Sequence, residues 1–152
     1  MSTSTRSSKA ATVARIVLGF AFLVFGLNGF LHFLPQPPMS GPPADFAGAL
    51  AATGYMFPLI KGTEVVTGAL LLLGRYVPLA LTILAPVVVN ILGFHAFLAP
   101  AGLGLPIVLT ALGIYVAWTE RAAFAPLFVS RGSSAGARLT SHLGDAHPSP
   151  AE

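Results

Sequence analysis

The sequence predicts an all-α membrane protein in which four hydrophobic helices cross the bilayer as an up-down bundle. Hydrophobic residues make up 55% of the 152 residues and charged residues only 9%, compared with roughly 25% charged residues in soluble domains. Asp45 is the only charged residue between positions 16 and 60, and positions 76 to 119 contain none. Because a surface in water needs more charges than this, we expect the chain to face lipid.

Four apolar runs supply the predicted spans. The first, Ile16 to Leu34, has 19 residues, close to the roughly 20 that a transmembrane helix needs. It is longer than a signal-peptide core of about 7–15 residues, so we expect it to be retained. The other spans are predicted from Phe57 to Leu73, from Val77 to Ala99, and from Leu105 to Trp118 with a less regular continuation toward Phe128.

These runs divide the chain into three parts. Residues 1–12 form a predicted polar tail, residues 13–128 the four-helix transmembrane domain, and residues 129–152 a predicted disordered tail rich in Ser, Gly, Ala and Pro. Residues 35–43 contain five prolines and are predicted to be non-helical. For residues 44–55 three structures are open: a helix on the membrane surface, a re-entrant helix, or an ordered loop.

The basic residues predict the orientation of the chain in the cell (inner) membrane. The predicted loops 35–56 and 100–104 contain no Lys or Arg. Since basic residues favour the cytoplasmic side, both termini are predicted to be cytoplasmic. Every Lys and Arg except Lys61 lies in a segment on that side: Arg6, Lys9, Arg15, Arg75, Arg121, Arg131 and Arg138.

Composition also excludes several classes of function. The basic residues form no cluster and accompany no nucleic-acid-binding motif, so nucleic acid is not an expected partner. Cysteine is absent, which excludes disulfides and thiolate metal sites within this chain. No catalytic residues can be assigned, and no metal site is predicted.

Two charged residues fall inside the second predicted span. Lys61 and Glu64 are three residues apart, so they lie on one face of a helix. Two interpretations are open: a salt bridge that fixes helix packing, or a carboxylate that moves a proton or orients a ligand. Ionisable groups inside a membrane are costly and are commonly functional. We expect Glu64 to face the interior and Asn28 or His32 to approach it.

The polar residues of three spans are predicted to lie at a similar depth, in the outer half of the membrane. This asymmetry predicts a polar pocket that opens toward the extracytoplasmic side and binds a small, partly apolar molecule. A quinone is the leading candidate ligand. Haem is not favoured, because each histidine is more simply interpreted as interfacial or bonded to backbone. The candidate ligand-binding residues are Glu64, Lys61, Asn28, His32, Asn90 and His95.

Small residues on the first span predict where helices meet. Gly19, Gly26 and Gly29 fall within one sector of a helix turning 100° per residue. Small residues let transmembrane helices approach closely. We therefore interpret this sector as a packing seam between helices.

The run from Gly62 to Pro78 resembles the signature of the DoxX family of small membrane proteins. It has a glutamate at Glu64, a glycine four residues later, an aliphatic stretch, and then Gly-Arg at positions 74–75 and a proline. Residues 15–19 with 25–27, and residues 86–90 with 94–95, are similar to the family as well. The resemblance covers about residues 14–128. It implies a four-helix membrane bundle, and Glu64 is the polar residue carried over from it.

The resemblance also implies a redox connection, because one member of the family is a subunit of a thiosulfate:quinone oxidoreductase. Two hypotheses follow. In the first, the protein is a quinone-interacting subunit that works with a membrane redox partner. In the second, it is a non-enzymatic membrane scaffold or small-molecule carrier, which the short chain and the lack of a cofactor motif favour.

Overall fold

The computed structural model describes residues 3–35 and 38–128, and within these ranges the regular structure is entirely helical. Two short 3₁₀ helices occur at Pro100–Gly102 and Ala125–Phe128. The α-helices are α1 (Thr3–Leu31), α2 (Pro42–Ala52), α3 (Met56–Leu73), α4 (Val77–Phe97), α5 (Gly104–Thr119) and α6 (Arg121–Phe124).

Three segments are long and apolar enough to cross a membrane, namely Lys9–Leu31, Met56–Leu73 and Val77–Phe97. A fourth candidate arises when Gly104–Thr119 and Arg121–Leu127 are counted together. The predicted class, an all-helical multi-pass membrane protein, is therefore confirmed. The number of spans is three or four by length and composition.

The structure changes two of the predicted boundaries. Residues 3–12 belong to α1, so the polar segment before the first apolar run continues the helix. The prediction that all of residues 35–43 are non-helical is wrong at its end, since α2 begins at Pro42. Proline is accepted in the first turn of a helix because its missing N–H would have no partner there. Residues 129–152, the predicted disordered tail, lie outside the described residues.

Of the three structures open for residues 44–55, the ordered loop is excluded by the helix Pro42–Ala52. The choice between a membrane-surface and a re-entrant helix stays open. Asp45 lies in its first turn, where a negative charge favours the helix dipole. None of its side chains is buried, so α2 rests on the surface of its neighbours.

Helices α1 and α3 pack antiparallel through the predicted glycine seam. A Cβ atom on Gly19 would lie 2.9 Å from Leu72 N, and one on Gly26 would lie 2.8 Å from Val65 N. On the other side of the contact, a Cβ on Gly68 would lie 2.6 Å from Leu23 N. The interpretation of the small residues as a packing seam is thus confirmed.

Helices α1, α3, α4 and α5 bury a narrow apolar core. Helix α1 packs against α3 and α5, and α4 packs against the same two helices. Large apolar side chains such as Phe20, Val66 and Phe97 point outward, as expected of a protein whose solvent is lipid. The largest fully buried apolar side chains are Leu18, Phe22, Leu71, Leu84 and Val116.

The end of α3 is closed by a glycine and an arginine. Gly74 has φ 66°, a left-handed conformation that glycine adopts without strain and that commonly terminates helices. The guanidinium of Arg15 on α1 donates to the carbonyl of Leu71, and to that of Leu72 at 3.3 Å. This charged cap ties the beginning of the first span to the end of the next one.

Residues up to Arg121 form one packed unit, and residues from Ala122 onward form a second. The described part of the second unit consists of the remainder of α6 and the 3₁₀ helix Ala125–Phe128.

Candidate functional site: a buried ion pair on the third helix

Lys61 and Glu64 form an ion pair on one face of α3, as their spacing predicts. The ammonium Nζ donates to Glu64 Oε1 at 3.1 Å and to Oε2 at 2.9 Å. The side chain of Glu64 is 2% exposed, whereas that of Lys61 is 22% exposed. The prediction that Glu64 faces the interior is confirmed. A molecule approaching the pair therefore meets the ammonium rather than the carboxylate.

Helix α1 makes room for the pair with two glycines. A Cβ on Gly26 would lie 3.0 Å from the Cβ of Glu64. A Cβ on Gly29 would overlap the aliphatic stem of Lys61. The stem therefore runs across the surface of α1 at Gly29, and this contact holds the ammonium over Glu64.

Thr67 is a buried polar neighbour that the sequence pattern did not single out. It lies one turn after Glu64, and its hydroxyl donates to the carbonyl of Thr63 at 2.7 Å. A longer bond of 3.3 Å reaches the backbone carbonyl of Glu64. Both bonds stay within α3, so Thr67 adds no hydrogen bond to the carboxylate. Its position three residues after Glu64 was the available signal.

Asn28 and His32 terminate α1 and do not bond to Glu64 within the described part of the chain. The amide oxygen of Asn28 accepts from Leu34 N at 2.6 Å. His32 has φ 51° and an exposed side chain, and its N–H donates to the carbonyl of Asn28 at 2.9 Å. No hydrogen bond between described residues therefore supports the predicted approach of Asn28 or His32 to Glu64. The reason is that α1 ends at Leu31, where the chain must turn.

Asn90 and His95 each bond to a backbone carbonyl four residues earlier on α4. Asn90 is exposed, and its amide donates to the carbonyl of Pro86 at 2.9 Å. His95 is half-buried and its Nδ1 is 2.8 Å from the carbonyl of Ile91. Since a carbonyl only accepts, Nδ1 carries the proton in this contact. Neither residue forms a hydrogen bond with the ion pair.

An aromatic contact connects α2 to the end of α4. The rings of Phe46 and Phe94 are 5.7 Å apart, and Phe94 also lies 5.2 Å from the His95 ring, edge to face. Two other phenylalanines close in sequence to these polar residues, Phe33 and Phe97, are exposed. The structure therefore places α2 over the end of α4 that carries His95.

The described residues contain no group of three or more His, Asp or Glu side chains that could hold a metal ion. A groove of about 320 Å³ does exist, between α3 and α4. Gly62 and Val66, which line it, are two positions from Glu64 and so lie about 200° around the helix from it. The lining residues are Pro58, Leu59, Gly62, Thr63, Val66, Thr67 and Ile83.

The groove is thus an apolar feature on the side of α3 facing away from the ion pair. Its two hydroxyl groups already donate to carbonyls of α3, from Thr63 to Leu59 at 2.8 Å and from Thr67 to Thr63. Comparison of the chain with family models, with curated proteins and with solved structures finds no match.

Proposed function

We propose that the chain is a DoxX-like protein of the cell (inner) membrane that serves as a quinone-interacting subunit of a redox-linked assembly. The proposal includes four spans in an up-down bundle, with both termini cytoplasmic. The resemblance of residues 62–78 to the DoxX signature supports it, and so does the bias of basic residues toward one side. The observation that carries the functional part is the partly open ammonium of Lys61.

The Lys61 ammonium offers the kind of donor that a quinone carbonyl requires. An ammonium has three N–H donors, and the two oxygens of Glu64 account for two of them. Glu64 also neutralises the positive charge, which allows the ammonium to remain in an apolar region. A ligand with an apolar ring and a carbonyl oxygen matches this arrangement, with the third N–H directed to the carbonyl.

This chain alone does not supply electrons. It contains no cysteine and no recognisable redox motif, so a membrane partner subunit would carry out the electron transfer. The role of this chain in the proposal is to bind and orient the quinone at Lys61 and Glu64. The other four predicted ligand residues, Asn28, His32, Asn90 and His95, are not required.

Added quinone provides the test of binding. In nanodiscs, a short-chain ubiquinone analogue should raise the melting temperature of the wild-type protein. The double variant Lys61→Met/Glu64→Leu removes both charges together and should abolish the rise while the fold persists. Asn90→Ala is the matched control and should keep the rise, because Asn90 is exposed and bonds to Pro86. If ubiquinone and menaquinone analogues never shift the wild-type melting temperature, quinone binding is wrong.

Reporter fusions test the topology independently of the ligand. A reporter after Glu152 should be active in the cytoplasm, and one inserted within residues 37–43 should be active outside it. A cytoplasmic signal from the proline-rich segment would contradict the four-span arrangement.

A second candidate function, a non-enzymatic scaffold or small-molecule carrier, is favoured by a different observation. Asn28, Asn90 and His95 are each engaged with backbone groups close in sequence. Polar side chains used in this way hold helices and turns in place and present few groups to a ligand. Under this function, substitution of the ion pair changes thermal stability, and added quinone has no effect on any variant.

A further inference from the structure

One end of the helices carries nearly all of the uncompensated charge in the described part of the chain. Lys9 and Arg15 lie near the beginning of α1, Arg75 follows α3, and Arg121 follows α5. Among the described residues, Glu120 is the one acidic residue at this end. At the opposite end, Asp45 lies on α2, and Lys61 and Glu64 neutralise each other.

The helix contacts place these basic residues at the same end. Arg15 bonds to the last turn of α3, and Arg75 comes two residues after that helix ends. A Cβ on Gly113 of α5 would lie 4.0 Å from Leu18 of α1. Helix α5 begins beside the end of α4, since a Cβ on Gly102 would lie 2.8 Å from His95. From Gly113 it therefore continues for about two more turns toward the end where α4 and α1 begin.

The four basic residues differ in how many of their hydrogen-bond donors are used. Arg15 is committed to the carbonyls at the end of α3. Arg121 uses one N–H, which donates to the carbonyl of Trp118 at 3.1 Å, and its guanidinium lies 5.5 Å from the Trp118 ring centre. The side chains of Lys9 and Arg75 are exposed and form no hydrogen bond or ion pair with any described residue.

We infer that Lys9, Arg75 and Arg121, here called the basic end, form a binding surface for anionic phospholipid headgroups. The apolar surfaces of α1, α3 and α4 place this end at the boundary of the bilayer. Tyr76 and Trp118 are 71% and 68% exposed beside it, and such aromatic side chains favour the headgroup region. Guanidinium groups match phosphate geometry with paired N–H donors.

The electrostatics favour an anionic lipid over a zwitterionic one. Each Lys or Arg near an anionic membrane surface strengthens attraction by a factor of about five. The choline group of phosphatidylcholine would bring a positive charge to the basic end. Phosphatidylglycerol brings only the phosphate and hydroxyl groups. The basic end therefore selects by net charge, and this selection is independent of whether quinone binds at Lys61.

Native mass spectrometry of the full chain in mild detergent tests the inference. Phosphatidylglycerol and phosphatidylcholine with identical acyl chains are added in equal amounts, and the ratio of the two bound lipids is measured. Wild-type protein should bind more phosphatidylglycerol. Arg75→Gln should lower the ratio about five-fold, and Arg75→Gln/Lys9→Gln should lower it further. Neither variant removes a side-chain hydrogen bond or ion pair between described residues, so both should keep the wild-type melting temperature.

Two controls test whether the lipid preference arises at the basic end and requires a whole lipid. Asp45→Asn changes one charge at the opposite end and should leave the ratio unchanged. Inorganic phosphate, added at the lipid concentration, should not displace phosphatidylglycerol, because free phosphate lacks the acyl chains that hold a lipid beside the helices. Equal binding of the two lipids by wild-type protein would overturn the inference. A phosphatidylglycerol preference that persists in the double variant, or that phosphate removes, would overturn it as well.

Discussion

Replacement of Lys61 by methionine should destabilise the protein severely, because it leaves Glu64 without its partner. Methionine keeps the length and most of the apolar stem that lies against Gly29, so the substitution removes mainly the ammonium. Both carboxylate oxygens of Glu64 lose their hydrogen-bond donor, and the carboxylate stays enclosed between α1 and α3.

The expected loss in the free energy of unfolding is about 3 kcal/mol. Breaking a buried ion pair by removing one partner costs about 3–5 kcal/mol. We expect the lower end of this range because the Lys61 side chain is 22% exposed and its interaction is partly screened. The double variant Lys61→Met/Glu64→Leu removes both charges and should be close to wild type or more stable, by about 1–4 kcal/mol.

Reversible unfolding in mild detergent would measure these differences through a double-mutant cycle with Glu64→Leu as the fourth species. The coupling free energy between the two residues should be at least about 1 kcal/mol. Leu59→Met is a matched control on the same helix, because Leu59 is 58% exposed and the change conserves volume. A loss below about 1 kcal/mol in Lys61→Met, equal to that of the control, would refute the reasoning.

Three further substitutions test other features by thermal or denaturant unfolding. Gly68→Ala should cost about 1–3 kcal/mol by overpacking, since its Cβ would lie 2.6 Å from Leu23 N. The control Gly48→Ala, which has open space around it, should be neutral or stabilising. Equal effects of the two substitutions would refute the close approach of α1 to α3. Arg15→Met should cost about 1.5–3 kcal/mol through the lost charged hydrogen bonds, and an unchanged unfolding midpoint would contradict the cap. His32→Gly should stay within about 1 kcal/mol of wild type, because relief of left-handed strain offsets the entropy of glycine; a large loss would mean that the imidazole itself contributes.

Much of the fold could be predicted because a bilayer makes hydropathy a strong signal. Met56–Leu73 begins one residue before the predicted start and ends at the predicted residue, and the third span ends two residues early, at Phe97. The polar beginning of α1 and the proline start of α2 were not predicted. Hydropathy does not mark either one, because the first is a polar helix and the second begins where proline is usually a helix breaker.

Only the part of the candidate site that lies within one helix could be predicted from the sequence. The three-residue spacing of Lys61 and Glu64 placed both side chains on one face, since that relation depends on helix geometry alone. The pocket expected from six polar residues depended on contacts between helices. In the structure Asn28 and His32 close the end of α1, and Asn90 points outward. Depth in the membrane can be read from residue numbers, but the direction of a side chain around the bundle cannot.

The sequence by itself determined the membrane class, the approximate helices and the presence of an ion pair on α3, because each follows from hydropathy or from spacing within one helix. Only the tertiary structure decided which helix covers that pair and which residues hold α1 against α3. Gly26 and Gly29 leave space for Glu64 and the Lys61 stem, and Arg15 reaches the end of α3 more than fifty residues away. Such contacts join segments distant in sequence, and no local pattern specifies which segments will meet.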